Sequence, residues 1–150
     1  MASEVNALTE FSEAMVRAVE RGSQSTVLVN ARHRLPASGI AYAPDMILTA
    51  DHVVERDEGI TILTPGGETL SVTVAGRDPG NDLALLRLEK ATLTPAEKAS
   101  QEARVGQVVV ALGRPSRDGI EASWGIISAV GGPARTGRGG LLERYLPFGT

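Results

Sequence analysis

Residues 38–54 read SGIAYAPDMILTADHVV. Two short apolar runs, SGIAYA and MIL, flank Pro44-Asp45, a pair suited to a tight turn. Small, β-branched and aliphatic residues without a helical period predict two strands of a hairpin. The stretch closes on TADHVV at 49–54, so His52 falls where a buried strand gives way to a turn.

Upstream, TVLVNA at 26–31 is short and β-branched, a further strand. Before it the period changes. Leu8, Phe11, Met15, Val16 and Val19 recur at helical spacing within residues 6–20, with Glu10, Glu13, Arg17 and Glu20 turned elsewhere. This predicts an amphipathic helix, with Asn6 as its N-cap and Arg21-Gly22 as its end. The helix is low in basic residues and is expected to pack on the first group of strands rather than on a membrane.

Downstream, GITILT (59–64) and TLSVTVAG (69–76) are joined by Pro65-Gly66-Gly67, and LALLRL (83–88) follows the turn-rich RDPGND. Parallel strands need long crossovers, usually helical, and none is available here. Six strands with hairpin connections therefore predict a small antiparallel barrel. Strand character resumes with VGQVVVALG (105–113) and EASWGIISAVGG (121–132), before the Gly-rich GGPARTGRGG (131–140). The expected organisation is a helix over 1–22, a first β-barrel over 23–90, a linker over 91–104 and an incomplete second β-barrel over 105–150. The expected class is all-β, with one short N-terminal α-helix.

Composition narrows the function. The chain of 150 residues carries a net charge of -3 and no run of lysine or arginine, so a nucleic-acid partner is not expected. With no cysteine there is no disulfide framework, thiol nucleophile or thiolate metal site. The only histidines, His33 and His52, leave little scope for a metal, and no cofactor is expected. No signal-peptide core and no apolar run of about 18 residues occurs, so neither membrane insertion nor an export signal is expected.

The chemistry rests on two positions. His52 ends one strand and Asp82, in GNDLALLRL, immediately precedes another. Strand ends are where loops converge on a rigid scaffold. A neutral imidazole backed by a carboxylate is what an acyl-transfer enzyme needs to take a proton from a serine. One His and one Asp are common in any protein, so the local wording carries the weight.

SGIAYAPDMILTADHVV, GRDPGNDLALLRL (76–88), VGQVVVALGRP (105–115) and SWGIISAV (123–130) resemble, in order, the successive blocks of HtrA (Deg)-like trypsin-fold serine proteases. The resemblance spans about residues 8 to 145. It implies a double antiparallel β-barrel with the active site between barrels, His52 as general base and Asp82 as its orienting partner. Ser38-Gly39 matches the small pair that serves packing in the strand before the histidine. The implied substrates are unfolded or extended polypeptides, and relatives are often periplasmic or otherwise extracytoplasmic. The family's nucleophile lies in a Gly-x-Ser-Gly-Gly segment whose amides also build the oxyanion hole, and residues 1–150 contain none. RGGLLERYLPF (138–148) resembles the approach to it.

Ser116, Ser123 and Ser128 lack the Gly-flanked turn that would expose a hydroxyl and aim two amides at an oxyanion, and they read as turn or strand residues. Catalytic inactivity of the polypeptide alone is therefore expected, as is self-association or swapping through the second strand group. The competing reading is a non-catalytic binding module that keeps the barrel scaffold. Intact His52 and Asp82 favour the protease. His33, between two arginines, is expected in a solvated turn, and Trp124 half-buried against the barrel. Residues 131–140 are expected to be a flexible Gly-rich loop, and the same resemblance suggests an activation loop there.

Overall fold

The β-branched run after the helix becomes strand β1 (Thr26–Asn30), with its first four residues buried. It is preceded by α1 (Ala2–Ser23) and followed by β2 (Ala37–Ala43), β3 (Met46–Thr49), β4 (Ile60–Leu63), β5 (Thr69–Asp78) and β6 (Leu83–Arg87). Two longer strands come next, β7 (Val108–Ser116) and β8 (Gly119–Ile127), then the short β9 (Ala134–Arg135), β10 (Leu141–Leu142) and β11 (Phe148–Gly149). This computed structural model describes residues 2–131 and, beyond them, the backbone of 134–135, 141–142 and 148–149. The expected activation loop at 131–140 therefore lies mostly outside the described residues.

The six strands β1–β6 close into an antiparallel barrel in the order β1-β2-β3-β6-β5-β4, with β4 returning to β1. Alternation along each strand turns one face inward, and Val27, Val29, Ala41, Ile47, Ala84 and Leu86 are fully buried there. Gly39 belongs to this packing: a Cβ in its place would stand 2.7 Å from Ile47 Cγ2 and 2.9 Å from Val29 Cγ2. Register matters most at β6, the strand between β3 and β5. Ala84 pairs with Thr49 on one side and with Arg77 on the other. The end of β3, the start of β6 and the end of β5 thus lie in one row at one rim of the barrel.

The segment expected to link the two strand groups holds neither helix nor strand. Its first half nevertheless runs along the barrel. The amides of Leu93 and Ala96 donate to the carbonyls of Pro44 and Ala41, each at 2.9 Å, and Leu93 is buried.

Strands β7 and β8 pair antiparallel, and β11 adds to the far side of β8. Arg114 joins this second sheet to the barrel. Its backbone N–H donates to Ser38 Oγ at 2.8 Å, and its guanidinium to the carbonyls of Thr26 at 2.9 Å and Ser23 at 3.2 Å.

One local expectation is corrected, and the surroundings of α1 and Trp124 become specific. Asn6 lies inside α1, which begins at Ala2, and does not cap it. The helix meets the first barrel through its C-terminal end, where Thr26 Oγ1 donates to the Gly22 carbonyl at 2.9 Å. Farther along, Phe11 packs edge-on against Trp124 of β8, with ring centroids 6.0 Å apart. Aromatic rings favour such edge-to-face contact, and Gly22, without a side chain, lets Leu112 of β7 approach. Trp124 is 56% exposed.

Candidate active site

The turn that carries His52 is shaped by what flanks it. Thr49 Oγ1 donates to the Ser38 carbonyl at 2.8 Å and fastens the end of β3 to β2. A single 3-10 turn follows over Asp51–Val53, and Val53 and Val54 insert into the core. With the chain anchored on both sides, the imidazole of His52 projects outward, its side chain 52% exposed.

Asp82 arrives from the opposite direction. Strand β5 ends at Asp78, whose carboxylate accepts from the Asn81 amide at 3.3 Å and from Asn81 Nδ2 at 2.8 Å. This caps a 3-10 turn over Pro79–Asn81, with proline in its first turn. Asp82 closes the turn in the left-handed region, at φ 56° and ψ 46°, and its N–H reaches the Pro79 carbonyl at 3.2 Å.

The two turns meet through Asp82. Its Oδ2 lies 2.6 Å from His52 Nδ1, its Oδ1 accepts from the His52 backbone N–H at 2.8 Å, and its carbonyl accepts from the Asp51 N–H at 3.2 Å. A carboxylate only accepts, so Nδ1 carries a proton, and in the neutral imidazole Nε2 keeps its lone pair. The arrangement can orient a neutral imidazole as a base and steady the imidazolium after it takes a proton.

Sequence reasoning passed over Arg77, which holds the other side of the same turn. Its Nη1 donates to Asp51 Oδ1 at 2.8 Å and to the Val54 carbonyl at 3.0 Å; Nη2 donates to Asp57 Oδ1 at 3.0 Å and to the Arg56 carbonyl at 3.5 Å. The hydrogen bond to Asp51 first, and then that to Asp57, holds the guanidinium proton more firmly than in a free arginine. A raised folded-state value stabilises the fold fully below the unfolded value and is lost only as pH climbs through it, so this contribution stays constant across the neutral range. The available signal was position: Arg77 is the next-to-last residue of β5, at the rim where Asp82 follows.

The remaining residues singled out in the sequence lie elsewhere. His33 is exposed in the turn between β1 and β2. Ser116 sits at the β7–β8 turn, where its Oγ accepts from the Asp118 amide at 3.2 Å. Ser123 pairs with Ala111 within the β7–β8 ladder, and Ser128 follows β8. Among the described residues no group of three His, Cys, Asp or Glu side chains could hold a metal ion, and no helix is long and apolar enough to cross a membrane.

A closed barrel bearing a His–Asp pair at one rim, followed by a second sheet, fits one class of protein. Residues 37–146 match the model of the trypsin-like peptidase domain, and the chain belongs to that family. Its likeness within the family is to the HtrA (Deg) proteases. It is 33% identical over 132 residues to the serine endoprotease DegS of Haemophilus influenzae, covering 84% of this chain and 38% of that protein. It is 34% identical over 109 residues to the periplasmic serine endoprotease DegP of Salmonella typhimurium, covering 71% of this chain and 22% of that protein. The fold matches the crystal structure of the serine endoprotease from Yersinia pestis, with a TM-score of 0.69, 28% identity and coverage of 84% of this chain and 52% of that one. The chain spans well under half the length of the two sequence relatives.

Proposed function

We propose that this chain supplies the histidine and aspartate of an HtrA-like serine endopeptidase acting on unfolded or extended polypeptides. The observation that carries the reading is the double grip of the Asp82 carboxylate on His52, Oδ2 to Nδ1 and Oδ1 to the backbone N–H. In the proposed mechanism His52 Nε2 takes the proton of a serine hydroxyl as its oxygen attacks the scissile carbonyl. Asp82 holds the imidazolium while that proton passes to the leaving amine, which departs as the acyl-enzyme forms. A water then attacks the ester, giving its proton to Nε2, and the proton returns to the serine as the acid product leaves.

The substrate class draws on the neighbourhood of the pair. Leu83, next in the chain to Asp82, is 41% exposed, and Tyr42 is 51% exposed; both line a hollow on the barrel's outer face with Leu48 and Leu85. Apolar surface of this kind suits side chains that folded proteins bury and unfolded ones display.

The nucleophile and the oxyanion hole are assigned to a Gly-x-Ser-Gly-Gly segment, which residues 1–150 do not contain. The 150-residue polypeptide alone is therefore proposed to be inactive, since loss of both groups removes most of the catalysis. By itself it is further proposed to self-associate through the second sheet, where Val108, Trp124 and Ile126 are exposed.

A fluorophosphonate probe tests the assignment. No labelling is expected for residues 1–150, and labelling for the chain extended through the serine-bearing segment of the DegS relative, abolished by His52→Ala. Stoichiometric labelling of residues 1–150, or labelling of the extended chain that survives His52→Ala, would overturn it.

A further inference from the structure

We propose that Arg77 is a positioning residue for His52, tying Asp51 at the start of the turn to the chain that follows it; the inference rests on the reading of His52 as general base. The Asp82 carboxylate grips His52, and its carbonyl accepts from the Asp51 N–H. The turn itself is one 3-10 turn whose N-cap, Ala50, offers no side-chain hydrogen bond, and such short turns have poor hydrogen-bond geometry of their own. Beyond Val54 the chain runs to Gly59 without helix or strand, and Glu55, Asp57 and Glu58 are exposed.

Glu55 N–H donates to the Ala31 carbonyl at 2.9 Å and Arg56 Nη2 to the Asn30 and Gly59 carbonyls, and Arg77 spans the whole stretch. Its two terminal nitrogens take two carboxylates, Asp51 and Asp57, and two carbonyls, Val54 and Arg56, so that one planar fork engages both ends of 51–57. A guanidinium suits such a task because its donors are fixed in one plane, whereas an ammonium is a single point. The fork is itself anchored. Arg77 pairs with Ala84, which is fully buried and also pairs with Thr49, three residues before His52. Asp82 lies two residues before Ala84 on the same strand's approach. One row of the barrel therefore sets both grips on the turn that carries His52, the carboxylate just before β6 and the guanidinium from β5.

The two carboxylates are not equivalent. The Asp51 side chain is 13% exposed and the Asp57 side chain 82%, so solvent screens the second far more than the first. An ordinary surface ion pair would contribute only to stability. A positioning role also predicts a response at the imidazole.

The test uses residues 1–150 and proton NMR, with hydrogen exchange of the His52 backbone amide and the His52 Nδ1–H resonance as readouts. Arg77→Met is expected to speed exchange at His52 about tenfold and to broaden the Nδ1–H signal, while the Leu86 amide in the barrel core keeps its protection. Arg77→Lys is expected to give an intermediate response, because one ammonium can hold Asp51 but cannot also reach the carbonyls and Asp57. Unchanged His52 signals in folded Arg77→Met would overturn the proposal. If Arg77→Met also loses Leu86 protection, Asp51→Asn decides: it leaves β5 intact, and unchanged His52 signals in that variant overturn the proposal equally. None of these readouts needs a serine, so failure here and failure of the probe-labelling experiment are separate results.

Discussion

The barrel and the β7–β8 sheet are written in the same kind of residue, yet they bury very different shares of it. Val27, Val29, Ile47 and Leu86 in the barrel are wholly inaccessible, whereas Val108, Trp124 and Ile126 in the second sheet are between 44% and 56% exposed. The difference lies in closure. Every barrel strand has two neighbours, so one face of each is sealed inside, while β7 has β8 on one side only in its sheet. Strand propensity is local, but burial belongs to the topology. His52, Asp82 and Arg77 all stand on the sealed region, where rigid strands fix their spacing.

The largest expected effect contrasts the two regions directly. Leu86→Ala should lower the unfolding free energy by about 2–5 kcal/mol, through lost burial and the cavity left behind. Ile126→Ala should change it by less than about 0.5 kcal/mol, as surface substitutions usually do. Urea titrations of the two variants check this, and equal losses would break the contrast. An intermediate effect is expected where the regions meet. Arg114→Met leaves the carbonyls of Ser23 and Thr26 without their guanidinium donor and should cost the second sheet about 1–3 kcal/mol. The single tryptophan, Trp124, lies on β8, so its fluorescence reports that sheet. Its transition should fall to lower denaturant while the far-UV circular dichroism of the barrel keeps its midpoint; coincident shifts would mean that the regions unfold as one. The smallest effect on stability is expected at Trp124 itself. Trp124→Ser should leave the barrel within about 0.5 kcal/mol of the parent. It should also weaken the proposed self-association about tenfold in sedimentation equilibrium, equivalent to about 1.4 kcal/mol. An unchanged association constant would move the contact elsewhere.

Much of the barrel was legible because its strands alternate and its turns are marked by Pro44-Asp45 and Pro65-Gly66-Gly67. The neighbourhood of His52 and Asp82 was legible through the wording on either side of them. What escaped depended on contacts that no local pattern encodes. Arg77 sits on an exposed strand end and reads as a solvated charge until the register of β5 and β6 is known. Leu93 is a single apolar anchor in a stretch rich in Ala, Glu, Lys and Pro, so the periodicity needed to announce a buried segment is missing. The partner of α1 escaped for a different reason. An amphipathic stripe gives the side of a helix that seeks contact, but the meeting of Phe11 with Trp124 joins residues far apart in the chain.

Among non-glycine residues described, only Asp82 has a positive φ. Aspartate and asparagine tolerate that region better than other side chains, whereas most residues strain there by about 1–2 kcal/mol. Mutagenesis at this position is consequently confounded by default. Asp82→Ala mixes a change of charge with a change in backbone preference, and a loss of function in it would not reveal which was responsible. Asp82→Asn keeps the shape and the tolerance while removing the charge, so it is the interpretable substitution at the one position where backbone geometry and proposed chemistry coincide.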